Sequence, residues 1–204
     1  MTTTSATPGN KRERLVEAAA EVFAAKGYSG TRVADIAIRA EVGKGTVYEY
    51  FSSKEELLFA VFESINHRIA TRLDSALAEG GSARDQLRRL LGIGADVVHE
   101  QMDLQPVVLD FWAASRGKDF EEHYRESVVA SYVFFRKVIA DFIRNGQGRS
   151  EFRNDVDVEA LATTVVATID GLSVQHYFDR SVDAGKTIEA FGLMLIESLK
   201  TEST

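Results

Sequence analysis

Apolar residues recur at helical spacing along this chain. Leu15, Ala18, Ala19, Val22 and Phe23 fall at i, i+3, i+4, i+7 and i+8, which predicts a helix over 11–25 with one apolar face. Gly27 stands where a helix-ending glycine would. Val33, Ile36, Ala37 and Ala40 repeat the spacing over 33–40, and Thr31 upstream is the expected cap. Glu41-Val42-Gly43 then separate this segment from a third short helix over 44–51, with Val47 and Phe51 facing inward. Gly43 is expected to take the backbone geometry that other residues resist. Two helices this short cannot bury enough surface alone, so the first helix must cover them.

Ser53 and Glu56 read as a capping box. It opens a long helix to about 79, with Leu58, Val61, Phe62, Ile65, Ile69, Leu73 and Leu77 in its stripe. Nothing between Phe51 and Leu57 resembles a flexible linker, so this helix is expected to act as a rigid lever on the three before it. Gly80-Gly81 ends it, and Ser82 and Asp85 cap a helix over 83–101. Gly92 and Gly94 lie inside that helix, each costing about 1 kcal/mol relative to alanine. A kink or a close helix contact is the expected compensation. Further helices are predicted from near Pro106 to near Gly117, over 120–145, over 158–178 with Asp157 as cap, and over 186–200, with Phe152 anchoring a loop. No strand alternation and no internal repeat is present. The expected fold is all-α: a three-helix head over 11–53, joined by a long helix to a body of about six helices over 54–204, preceded by a disordered arm over 1–10.

Composition narrows the classes. With 204 residues, 45% hydrophobic and 27% charged, the chain can bury a real core. It has no cysteine, which excludes disulfides and cysteine-based metal or redox sites. No apolar run approaches a membrane span, and the N-terminus carries no signal-peptide core; a cytoplasmic protein with no membrane partner is expected. The net charge is −7, but its sign is divided. Residues 1–54 hold eight Lys and Arg against six Asp and Glu, a net +2, leaving sixteen against twenty-five, −9, for the remainder. A mildly basic head on an acidic body can meet phosphates with one end, although solvated charge alone could give the same division.

The head also carries candidate chemistry. The third helix presents Lys44, Gly45 and Thr46 at its N-terminal end, the end that enters a major groove in a helix-turn-helix protein. Lysine can donate to guanine or phosphate, and threonine can meet a base edge or a thymine methyl. Gly45 lets backbone approach closely, while Tyr48, Tyr50 and Lys54 suit phosphates. An ordinary helical hairpin with a solvated face would show the same spacing.

The segment TRVADIAIRAEVGKGTVYEYFSSKEELL over 31–58 resembles the DNA-binding signature of the TetR/AcrR family of bacterial regulators. The resemblance rests on Ile36-Ala37 in the second helix. It continues through Val42, Gly45, Thr46, Val47, Tyr48, Tyr50 and Phe51, and through Lys54-Glu55-Glu56-Leu57. It covers roughly 11–60, and Gly43 departs from the serine common there. The resemblance implies a homodimeric repressor of double-stranded operator DNA, released by an unidentified small-molecule effector. DNA contacts carry over to Thr31, Lys44, Gly45, Thr46, Tyr48, Tyr50 and Lys54, and basic Arg32 beside the expected cap is added to them.

The body says less. Residues 152–179 are similar to the next-to-last helix of a TetR subgroup, in the D-x-E-x-L-A opening at Asp157 and in Asp170-Gly171-Leu172. The resemblance places a dimer interface on the last two helices, for which Gly171, Leu172, Phe191, Gly192, Leu195 and Leu199 are the candidates; each could equally face its own core. It places an effector pocket among the middle helices, with Phe62, Ile65, Met102, Phe111, Trp112, Tyr132, Phe135 and Ile169 as possible walls. Asp170, Asp110, His99 or His176 are possible polar anchors. The four histidines show no metal-ligand spacing, and no phosphate loop or nucleophile–base pair occurs. No metal, cofactor or catalytic residue is therefore expected. A regulator of this fold without an effector, or a helical ligand-binding bundle that has lost DNA binding, remain as alternatives.

Overall fold

The computed structural model describes residues 8–100, 102–114 and 122–200. Among these the chain is all helical: α1 (Pro8–Gly30), α2 (Val33–Arg39), α3 (Lys44–Tyr50), α4 (Lys54–Ala78), α5 (Ala83–Glu100), a single 3-10 turn (Met102–Leu104), α6 (Gln105–Ala114), α7 (Glu122–Gly148), α8 (Val158–Phe178) and α9 (Ala184–Ser198). The helix ends expected near Gly117 and Phe120, and most of the expected N-terminal arm, lie outside the described residues. None of the described helices is long and apolar enough to cross a membrane.

Two compact units are present, and the boundary between them falls inside α4, after His67. The first unit takes α1, α2, α3, the first half of α4, and α6. Its core is the predicted stripe, Leu15, Ala19 and Phe23 of α1, Ile36 of α2, Val47 of α3 and Leu58 of α4, joined by Leu57, which lay outside that stripe; all are buried. Burial of each large side chain contributes about 1.5–3 kcal/mol, which short helices need from their neighbours.

Helix ends in this unit are closed by side chains from elsewhere in it. Arg14 of α1 donates to the carbonyl of Ala40 at the end of α2 (2.9 Å). Ser53 Oγ accepts the N–H of Glu56 (3.0 Å), as a capping box requires. The Glu56 carboxylate, however, reaches back to the N–H of Ser52 (2.6 Å) rather than to that of Ser53.

Two expectations about the turns are corrected. Arg32, not Thr31, occupies the N-cap position of α2, and the Asp35 carboxylate accepts the Arg32 N–H (3.1 Å). In the turn before α3, Gly43 has ordinary extended geometry (φ −70, ψ 150) and it is Glu41 that takes a left-handed φ of 56°.

The second unit packs the end of α4 with α5, α7, α8 and α9 around Leu87, Leu91, Ile143, Val165, Ile188 and Leu199. Its glycines report close approach. A Cβ on Gly94 would lie 2.7 Å from Ile169 Cδ1, so one of the two α5 glycines is explained by contact with α8; Gly92 faces open space. Gly146 carries the ring of Phe152 so closely that a Cβ would sit 2.3 Å from it, and Phe152 anchors its loop as expected. Asp157 caps α8 by accepting the Ala160 N–H (3.0 Å).

Candidate nucleic-acid interface

The first unit holds α3 by its apolar side only. Val47 and Phe51 are buried, while Lys44 and Gly45 are exposed and Thr46 is half-buried. A Cβ at Gly45 would meet nothing within 4 Å, so the N-terminal end of α3 is open to a partner. Lys44 Nζ lies 5.7 Å from the centre of the Tyr48 ring, and Tyr48 is 49% exposed. Tyr50 is half-buried and Arg32 is exposed. These residues give a short helix whose outward side combines an ammonium, a hydroxyl, a phenol and a side-chain gap. Such a surface can lie against base edges and phosphates.

Two of the expected contact residues face inward instead. Thr31 is only 3% exposed, and its hydroxyl donates to the Gly27 carbonyl (2.8 Å). Lys54 Nζ donates to the carbonyls of Tyr28 (2.9 Å) and Thr31 (3.1 Å) and lies 4.2 Å from the centre of the Tyr28 ring. A basic residue after an exposed helix reads as a phosphate ligand in sequence. Here its ammonium is taken by two carbonyls of the α1–α2 junction.

Electrostatics support this internal bracing. Tyr28 donates its hydroxyl to Glu55 Oε1 (2.5 Å). That bond holds the Glu55 carboxyl below its ordinary range against the opposing effect of burial, while burial, reinforced by Glu55, pushes the Tyr28 phenol upward. The Arg32 N–H, and then Lys26 at 3.2 Å, hold Asp35 below the usual carboxylate range.

The effector candidates divide between the units. Phe62 and Phe111 stack at 4.2 Å within the first, where they and Ile65 are buried as core. Trp112 is half-buried in the same unit, and the side chain of Met102 lies outside the described residues. Asp110, expected as an effector anchor, accepts the N–H of Tyr28 (2.6 Å). In the second unit Tyr132 donates to Asp170, and burial raises the Asp170 pKa against that bond. Ile169 and Phe135 pack against the core there. Of the other expected anchors, His99 is exposed, and His176 Nδ1 lies 2.5 Å from the Val182 carbonyl. An open groove of about 390 Å³ on the second unit is lined instead by Arg72, Ser75 and Ala76 of α4 and Arg89, Gly92 and Asp96 of α5. Its arginines pair with Asp96 (2.8 Å) and Glu79 (3.5 Å), and no expected effector residue lines it.

The interface candidates on α8 and α9 divide between the core of the second unit and its surface. Leu172, Leu195 and Leu199 are buried in the second unit's own core. Gly192 lies against Leu91, where a Cβ would come within 2.8 Å. Phe191 is partly buried against that core, and Gly171 has nothing within 4 Å of its Cβ position. On α8 and α9 the large apolar side chains that face outward are Phe178, Leu193 and Met194, at 73%, 59% and 66% exposure. Sequence reading missed them, although the run Leu193-Met194-Leu195-Ile196 carried a signal: four consecutive apolar residues on a helix cannot share one face.

Among the described residues, the outward side of α3 is exposed and polar, on a three-helix head of the helix-turn-helix class. Residues 15–61 match the family described as bacterial regulatory proteins of the tetR family, and 83–199 match the BetI-type transcriptional repressor C-terminal family. The chain belongs to the TetR family of DNA-binding transcriptional repressors, a family of regulators rather than enzymes. Among curated relatives, the HTH-type transcriptional repressor DhaR of Mycobacterium sp. (strain GP1) is 27% identical, over 83% of this chain and 84% of its own length. A transcriptional regulator from Saccharomonospora viridis, solved in complex with choline, is 27% identical with a TM-score of 0.81, covering 96% of this chain and 100% of that one. A TetR regulator from Chloroflexus aurantiacus is 26% identical with a TM-score of 0.76, covering 94% and 96%.

Proposed function

We propose that this protein acts in the cytoplasm as a homodimeric repressor that leaves its operator when a small organic cation binds its C-terminal region. Lys44, Gly45 and Thr46 read base edges. Arg32, Tyr48 and Tyr50 contact the backbone, and Thr31 and Lys54 brace the head from within. The observation that carries the reading is one chain joining an open α3 surface to a BetI-type C-terminal region. Choline in the Saccharomonospora viridis regulator supports a cationic effector. Asp170 supplies the matching group. Its charge is disfavoured by burial, and an arriving cation would relieve that cost. Tyr132 of α7, which donates to Asp170 of α8, offers an aromatic face suited to cation–π contact, and Phe135 follows it by three residues on α7.

The dimer would form across α8 and α9 through Phe178, Leu193 and Met194. The outer positions of α8 suit burial, because Thr163, Thr164 and Thr168 donate their hydroxyls to carbonyls one turn back (2.8–2.9 Å). A partner covering that face would strand few donors.

The deep burial of Phe62, Ile65 and Phe111 favours a second reading, a repressor of this fold without an effector. The experiment that separates the two selects a duplex from a random pool with the wild-type protein, then titrates choline and related ammonium compounds into the complex while following anisotropy. Release that is lost in Asp170→Asn supports the effector reading. Selection without release by any of these cations supports the second.

A further inference from the structure

The residue expected to anchor an effector, Asp110 of α6, is engaged elsewhere, and its partner points to a different role. At Gly27 the backbone takes φ 69, ψ 161, a region essentially restricted to glycine. A helix that ends on a left-handed glycine usually returns the next N–H to its own last carbonyls. Here the chain turns away, and the next N–H, that of Tyr28, is taken by Asp110 Oδ2 at 2.6 Å across 82 residues of sequence. The Cβ position of Gly27 lies 3.7 Å from the same oxygen.

The other polar groups of Tyr28 are held as well. Its carbonyl accepts from Lys54 and from the N–H of Thr31 (3.3 Å), its ring lies under the Lys54 ammonium, and its hydroxyl donates to Glu55. Tyr28 therefore fixes the junction that leads to Arg32 and α2. Three of its holds come from Lys54 and Glu55 of α4, and the hold on its N–H comes from α6.

We infer that Asp110 is a positioning residue for operator binding: it closes the end of α1 from α6, so the placement of α2, and of the α3 that α2 carries, depends on α6. The inference rests on the assignment of α3 as the DNA-reading helix. It does not require an effector.

The test uses the full chain, the duplex selected by the wild-type protein, and a scrambled duplex of equal length. Asp110→Ala removes acceptor and charge; Asp110→Asn removes the charge but keeps a carbonyl acceptor. Amide hydrogen exchange at Tyr28 should accelerate about tenfold in Asp110→Ala, and affinity for the selected duplex should fall about tenfold. Asp110→Asn should stay within about threefold of wild type in both. Affinity for the scrambled duplex should change equally in the two variants, because it follows charge. Wild-type affinity for the selected duplex in Asp110→Ala, unchanged Tyr28 exchange, or equal losses in both variants would overturn the inference. Wild-type protein that selects no duplex would instead overturn the DNA-binding reading itself. A variant that fails to fold is recognised by its circular dichroism, and Gly27→Ala, which strains the backbone of the same junction while leaving the Asp110 carboxylate in place, then replaces it with the same expected loss.

Discussion

At the scale of single residues, the head separates side chains that face outward from those that brace it. Lys44 and Thr46 are directed away from the core, so Lys44→Ala or Thr46→Ala should cost about 1–3 kcal/mol of binding to a selected duplex where the contact is to a base. The melting temperature should stay unchanged. Lys54→Ala should instead lower thermal stability, because two carbonyls at the α1–α2 junction lose their donor. The Tyr28–Glu55 bond gives a pH signature. The folded Glu55 pKa lies below its unfolded value, so its contribution is present above the unfolded pKa of about 4.3 and is lost as pH falls through the folded value. Tyr28→Phe should therefore melt below wild type at pH 7, and the gap should close as the pH is lowered through that window. Equal gaps at both ends would contradict the assignment. Spacing made Lys44, Gly45 and Thr46 legible as outward residues, because α3 has one apolar side. Spacing could not reveal that Thr31 and Lys54 turn inward, since their partners are backbone carbonyls, which every sequence contains.

At the scale of elements, periodicity and capping signals located the α-helices of the described chain, though not the 3-10 turn at Met102–Leu104, because most helices bury one stripe. What periodicity could not supply was the second face. On α9, Leu195 and Leu199 continue the stripe of Ile188 and lie in the core, while Leu193 and Met194 leave it. A single helix shows two apolar faces in such a case, and sequence alone does not say which one meets its own chain. The turn before α3 carries the same lesson. Gly43 looked like the residue that needed conformational freedom, yet Glu41 takes the left-handed backbone, since the geometry follows from how α2 ends rather than from where a glycine is available. Gly146 is the glycine whose absent side chain matters most for packing. Gly146→Ala places a methyl against the Phe152 ring and against Ala83, and should destabilise the protein by about 1–3 kcal/mol in urea unfolding. Gly148→Ala, with nothing within 4 Å, is the matched control and should be near neutral.

At the scale of the whole molecule, the chain is a TetR-family repressor, and its proposed dimer makes a contrast between neighbouring residues. Met194→Arg places a charge on the exposed face of α9 and should yield a folded monomer by sedimentation. Leu195→Arg places the same charge in the core and should unfold the second unit. A Met194→Arg protein that stays dimeric would move the interface elsewhere. The central claim, however, is that the open end of α3 reads duplex DNA. Its most direct test is the equilibrium affinity of the wild-type protein for a pool-selected duplex and for a scrambled one, measured across a range of salt concentrations. Tight binding to the selected duplex that weakens steeply with salt, and a clear preference over the scrambled duplex at every salt concentration, is the predicted result. Equal affinity for the two duplexes, or no selection at all, would contradict it.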